Sequence, residues 1–219
     1  MSNFAFEDFV SADRFDRYLT WAGGDRGRAV ELYSLNARVS EALYIPLQAL
    51  EIALRNRINS VASELLANKS GTLWFDRPKF QLGRRQAEQV AKAKRDLLGS
   101  RKPIEPSRIV AALTFGYWTA YFSSDYEALW RDGLHRIAQT RNGKRLSRKQ
   151  FTRPLLPLRM LRNRVAHHEP IIDWALNQHH ADILLLIGWL SPRAAEWCRE
   201  NSRFESVYRV PELSGNAQK

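Results

Sequence analysis

A single cysteine, Cys198, stands alone in 219 residues, which removes any disulfide framework and any zinc site built on cysteine. Long apolar runs are missing too. The longest, ILLLIGWL at 183–190, falls far short of the roughly 20 residues a membrane span requires. The opening MSNFAFEDFV lacks the basic start and apolar stretch of a signal peptide. No segment alternates polar and apolar residues as a half-buried strand does. Acidic residues vanish from one whole window, Gly133 through His168. These absences predict a soluble, cytoplasmic, helical protein without a membrane segment.

What is present is basic. The chain has 34 Lys and Arg against 23 Asp and Glu, a net charge of +11 with a pI near 10.1. Ten of the 34 fall in the acid-free window and account for nearly all the excess. Two of them, Arg136 and Arg162, frame a run that contains Arg141, Lys144, Arg145, Arg148, Lys149, Arg153 and Arg159, and Arg164 closes it. A stretch of one sign attracts a polyanion and concentrates it nearby. A nucleic acid is therefore the expected partner, with Arg141, Lys144, Arg145, Arg148, Lys149, Arg153, Arg159 and Arg164 as its contacts; the alternative is a solvated basic loop.

Helical periodicity dominates the chain. A first helix is expected over 8–21, stopped by Gly23 and Gly24, and a long one over 28–67. In the latter, Val39, Leu43, Leu47, Leu50, Leu54, Ile58 and Val61 recur at three- and four-residue steps, as a buried stripe does. Pro46 removes one backbone donor and should kink it. Residues 68–83 read as a loop, and helices follow over 84–98, 107–122 and 126–140. Phe115, Trp118 and Phe122 form one core stripe. After the turn RNGKR the chain should run irregularly past Pro154 and Pro157 and become helical from 158. Helices over 172–190 and from Ser191 close the fold. The expectation is one all-α bundle domain over 1–219, with its core at about 15–205 and a frayed tail at 211–219.

The densest chemistry is LRNRVAHHEP at 161–170. Asn163 and His167, four apart, share one helix face. Arg162 and His167, five apart, are separated by about 140° on a regular helix. They can converge on one substrate only if the helix breaks between them or if two copies of the motif meet across a dimer. A histidine near neutrality can take a proton from a ribose 2′-hydroxyl or return one to a leaving 5′-oxygen. A guanidinium can clamp the scissile phosphate and stabilise its added charge. Adjacent histidines diverge by about 100°, so neither His167–His168 nor His179–His180 chelates a metal well, and no metal or other cofactor is expected. LRNR occurs once more, at 54–57, where Gln48, Glu51, Arg55 and Asn59 form a polar seam. That seam is either a Glu51–Arg55 salt bridge at the bundle edge or a wall of the histidine site.

RNRVAHHEPI resembles the R-x4-6-H signature of the HEPN superfamily, and specifically its Abi-like (abortive-infection, AbiD/AbiF-type) branch. LEIALRNRI at 50–58, LTFGYWTAYF at 113–122 and ILLLIGWLSP at 183–192 resemble three further helices of that branch, in the same order. The resemblance covers about residues 15–205 and implies a HEPN-like helical bundle that forms a homodimer with a composite active site. It implies a metal-independent endoribonuclease acting as a toxin or antiphage effector, with an antitoxin protein as a further possible partner. His167 would be the general acid/base, Arg162 the phosphate clamp and Asn163 a positioning residue. His168, Glu51 and Arg55 would support them. The expected products are a 2′,3′-cyclic phosphate and a 5′-hydroxyl. Some members of the superfamily only bind RNA or act as scaffolds, which is the alternative function.

Overall fold

The bend anticipated at Pro46 is a complete break. Helix α3 (Arg26–Ala42) ends at Leu43, and α4 (Tyr44–Glu64) begins one residue later. Pro46 has no N–H for the carbonyl of Ala42, its ring crowds that carbonyl, and the helix is interrupted there at Leu43. Before this elbow come α1 (Phe6–Val10) and α2 (Ala12–Trp21), separated by Ser11 at a positive φ of 71°. The computed structural model describes residues 6–66, 73–80 and 83–208. The tail expected at 211–219, and parts of the loop expected at 68–83, lie outside the described residues.

The rest of the chain wraps α4. Helices α5 (Arg84–Gly99), α6 (Pro106–Ala112), α7 (Phe115–Ala120) and α8 (Glu127–Asp132) lead to α9 (Arg148–Ala166). Then come α10 (Leu176–Leu190), α11 (Pro192–Asn201) and α12 (Phe204–Val207). The fold is all-α, and among the described residues the only β element is an isolated bridge between Gln139 and Arg145. α4 packs most extensively on α10, which also packs on α9 and α11. The stripe from Val39 to Val61 is buried along its whole length, and so are Phe115, Trp118 and Phe122. A smaller core holds Phe15, Tyr18, Ala29 and Leu32 with Ile172, and seats α1 and α2 on α3. No helix among the described residues is long and apolar enough to cross a membrane.

Several boundaries differ from expectation, each for a local reason. The helix expected over 107–122 is two, because Leu113 is extended and Thr114 caps α7 by accepting from the Tyr117 N–H at 3.3 Å. The helix expected over 126–140 stops at Gly133, whose φ of +148° favours glycine and where a Cβ would lie 2.6 Å from Leu65. Most informative is α9, which starts ten residues earlier than expected. Ser147 and Gln150 form a capping box, with the Ser147 N–H donating to Gln150 Oε1 at 2.9 Å and the Gln150 N–H to Ser147 Oγ at 3.2 Å. Pro154 and Pro157 then sit inside the helix. The carbonyls they leave unbonded belong to Gln150 and Arg153, both on the exposed side, where water can satisfy them.

Buried tyrosines tie the middle of the chain together. The Tyr121 hydroxyl donates to the Phe80 carbonyl at 2.9 Å and accepts from the Tyr117 hydroxyl at 2.8 Å. Burial raises the pKa of both phenols. On the far side, the buried His180 of α10 stacks on Phe204 of α12 at 4.3 Å. Burial lowers its pKa from 6.5, against a smaller opposing pull from Glu205. Folding therefore favours neutral His180. Its stabilising share is complete above about pH 6.5 and declines as the pH falls from there towards the depressed folded-state value. Urea unfolding from about pH 7.5 down to 5 should show falling stability, with a shallower fall in His180→Phe. An identical slope in that variant would remove His180 as a cause.

Candidate functional site

Where α3 bends into α4, the last turn of α9 lies across the bend and leaves a cleft of about 740 Å³. The first three turns of α4 set its polar wall. Tyr44, Gln48, Glu51 and Arg55 fall within about 60° of one another around the helix axis, and all four line the cleft. From α9 come Arg162 and Val165, followed by His168 beyond the helix end.

The Arg162 guanidinium meets Glu51 at 3.1 Å, half-buried, and lies over the Phe115 ring at 6.0 Å from its centroid. Glu51 thus pairs across to α9 and leaves Arg55, four residues along its own helix, without its carboxylate. The first LRNR copy is therefore a wall of this cleft. Its seam does not stay together, because Asn59 is drawn away to accept from the Trp74 indole at 2.8 Å.

α9 ends in a Schellman turn. The Glu169 N–H donates to the Arg164 carbonyl at 2.9 Å and the His168 N–H to that of Val165 at 3.2 Å. Such a turn needs a left-handed residue, normally glycine, and here His168 takes it with φ 56°. Arg164 staples the turn from outside. It pairs with Glu169 at 3.1 Å, donates to the Pro170 carbonyl at 3.0 Å and lies 5.0 Å over Trp174. From inside, the buried Asn36 accepts from the Ile171 N–H at 2.7 Å and donates to the Glu169 carbonyl at 3.4 Å. Asn36 carries no motif. Its signal in the sequence is a lone amide in the apolar series Leu32, Val39, Leu43.

The helix does not break between Arg162 and His167. The His167 N–H still donates to the Asn163 carbonyl at 2.9 Å, and the break falls one residue later. Arg162 therefore faces the cleft, while His167 and Asn163 are exposed, about 140° and 100° around the helix from it. His168, not His167, is the histidine in the cleft wall. One chain does not bring Arg162 and His167 to a common point. The exposed strip that carries His167 also holds Lys149, Arg153, Leu156 and Met160, the last two 50% and 60% exposed.

Two of the expected RNA contacts are corrected. Arg148 is buried, held by Glu127 at 2.6 Å and by the Phe122 carbonyl, and Arg164 is spent on the turn. Arg141, Lys144, Arg145, Lys149, Arg153 and Arg159 are exposed. Among the described residues, no three of His, Cys, Asp and Glu come together as a metal site.

The turn makes two opposite predictions. Asn36→Ala strands the Ile171 N–H and should cost about 1–3 kcal/mol in urea unfolding. His168→Gly relieves the left-handed strain and should gain about 0.5–1 kcal/mol. A loss in the second variant would mean that the imidazole itself holds the turn. No protein-family model, curated protein or solved structure matches this chain.

Proposed function

We propose that this chain is a HEPN-type, Abi-like endoribonuclease that acts as a homodimer, a toxin or abortive-infection effector cutting RNA without a metal. The observation that carries the proposal is the division at the end of α9: Arg162 in the cleft wall, His167 and Asn163 exposed beside it. A two-fold axis near that helix end would bring His167 of one copy to Arg162 of the other. Leu156 and Met160, exposed on the His167 strip, supply apolar surface for such a contact.

The chemistry then needs few parts. The 2′-oxygen attacks phosphorus while His167 takes its proton, and the 5′-oxygen leaves as the P–O5′ bond breaks. Arg162 stabilises the charge that builds on the phosphoryl oxygens, and a proton returned to O5′ completes a 5′-hydroxyl and a 2′,3′-cyclic phosphate. Glu51 holds Arg162 in place until the phosphate arrives. The exposed cations from Arg141 to Arg159 attract the strand.

A second reading, a catalytically silent RNA-binding or scaffold protein, is favoured by the ion pair that already engages Arg162.

The test uses two defective chains. His167→Ala and Arg162→Ala should each lower cleavage by about 10²-fold or more, with wild-type cleavage persisting in EDTA. Mixed and reassorted, they should recover roughly a quarter of wild-type activity, since half of the random dimers hold one intact site. No recovery would refute the shared site. RNA left intact by the wild type would refute the nuclease.

A further inference from the structure

The acid-free window is not a loose loop. Residues 141–145 form the tip of a hairpin that is pinned on both sides. Before the tip, Ile137 and Ala138 are buried, and the Gln139 N–H donates to the Trp189 carbonyl in the last turn of α10 at 3.0 Å. After it, Leu146 is buried and its carbonyl accepts from the Trp130 indole at 3.3 Å, while the buried Arg148 is held by Glu127. The two arms bridge between Gln139 and Arg145, and the Thr140 N–H donates to the Lys144 carbonyl at 3.0 Å. Gly143 turns the chain at φ +76°, and the Thr140 hydroxyl accepts from the Lys144 N–H at 2.9 Å.

The tip makes no use of its own charges. Arg141, Lys144 and Arg145 are exposed, and among the described residues none of their side chains pairs with a carboxylate. A loop that only kept the protein in solution would need no such scaffold. Cations presented on a fixed support lose little freedom when phosphates arrive. Beyond the hairpin, Lys149 lies on the first turn of α9, eighteen residues before His167. That separation is five whole turns at 3.6 residues each, so the two share one line along the helix, about 27 Å apart. Arg153, also exposed, follows one turn after Lys149. The hairpin thus stands at the opposite end of α9 from the histidine, with Lys149 and Arg153 between them.

We infer that the 141–145 hairpin is a remote contact for the phosphate backbone, so that the substrate is an RNA running at least about 27 Å beyond the cut. The inference rests on the ribonuclease proposal and adds the reach of the substrate. At roughly 3.4 Å per stacked nucleotide, that reach is about eight nucleotides. A short oligonucleotide meets the histidine and not the hairpin. A long strand engages both, and the second contact raises affinity without touching the reacting atoms. Phosphate contacts carry no sequence information, so the hairpin sets how long the RNA must be and not which base is cut. The tip, RNGKR, has no apolar side chain to insert into a lipid surface, which favours a nucleic acid over a membrane.

The experiment compares the full-length protein with a triple variant, Arg141→Gln, Lys144→Gln and Arg145→Gln. Two RNAs share one cut sequence, one of about six nucleotides and one extended by roughly twenty on each side. The wild type should cut the long RNA with a kcat/KM about tenfold higher or more, through KM. The variant should lose about tenfold or more on the long RNA and less than about threefold on the short one, which also checks that it is folded. In a cleavage-silent His167→Ala background, the three changes should flatten the log–log salt dependence of long-RNA binding by about 2–3. Equal kcat/KM on the two RNAs, equal losses on both, or an unchanged salt slope would overturn the remote contact and leave the nuclease standing. Long-RNA binding with this slope change but no cleavage by the wild type would support the contact and refute the nuclease. If the variant loses binding to phosphatidylglycerol vesicles and keeps its RNA affinity, the hairpin is a membrane contact and the inference falls.

Discussion

A carbonyl without a donor organises this molecule. Pro46 cannot supply the N–H that Ala42 would accept in a continuous helix, so α3 and α4 part at Leu43. α4 continues into the core along its apolar stripe, and α3 shares that core through Val39 and Ala42 while its first turns carry the N-terminal helices on a second, smaller core. The cleft is lined from both sides of that break and by the last turn of α9. Asn36 holds that helix end from α3, and the Glu51–Arg162 pair holds it from α4.

Much of the fold was legible in the sequence because burial imposes periodicity. The series from Val39 to Val61 and the trio Phe115, Trp118 and Phe122 repeat at helical steps because one face of each element must leave water, and both are buried. Short-range breaks were less legible. Two prolines argued against a helix over 148–158, while the Ser147–Gln150 capping box argued for one. The box and the apolar series Phe151, Leu155, Leu158, Leu161 prevailed, because the prolines' missing bonds fall on the wet side.

The site was legible in part. Spacing alone set Arg162 and His167 on different faces, and the unbroken helix keeps them there. What each charge faces could not be read from spacing. The carboxylate that Arg162 meets is 111 positions away, and Arg148 looks in sequence like its exposed neighbour Lys149 but is buried against the Phe122 carbonyl and Glu127. A cation in an acid-free window can be spent on the fold or left for a ligand, and only the partners it reaches across the bundle decide which.

For the composite site we propose, the separation of Arg162 from His167 on one unbroken helix has a cellular consequence. A lone chain then carries two halves that cannot meet, and cleavage competence appears only with the second molecule. At low concentration the output scales with the square of the amount of protein, so a few leaked copies are harmless and a burst is not. The geometry of a single helix turn would give such a nuclease its own threshold.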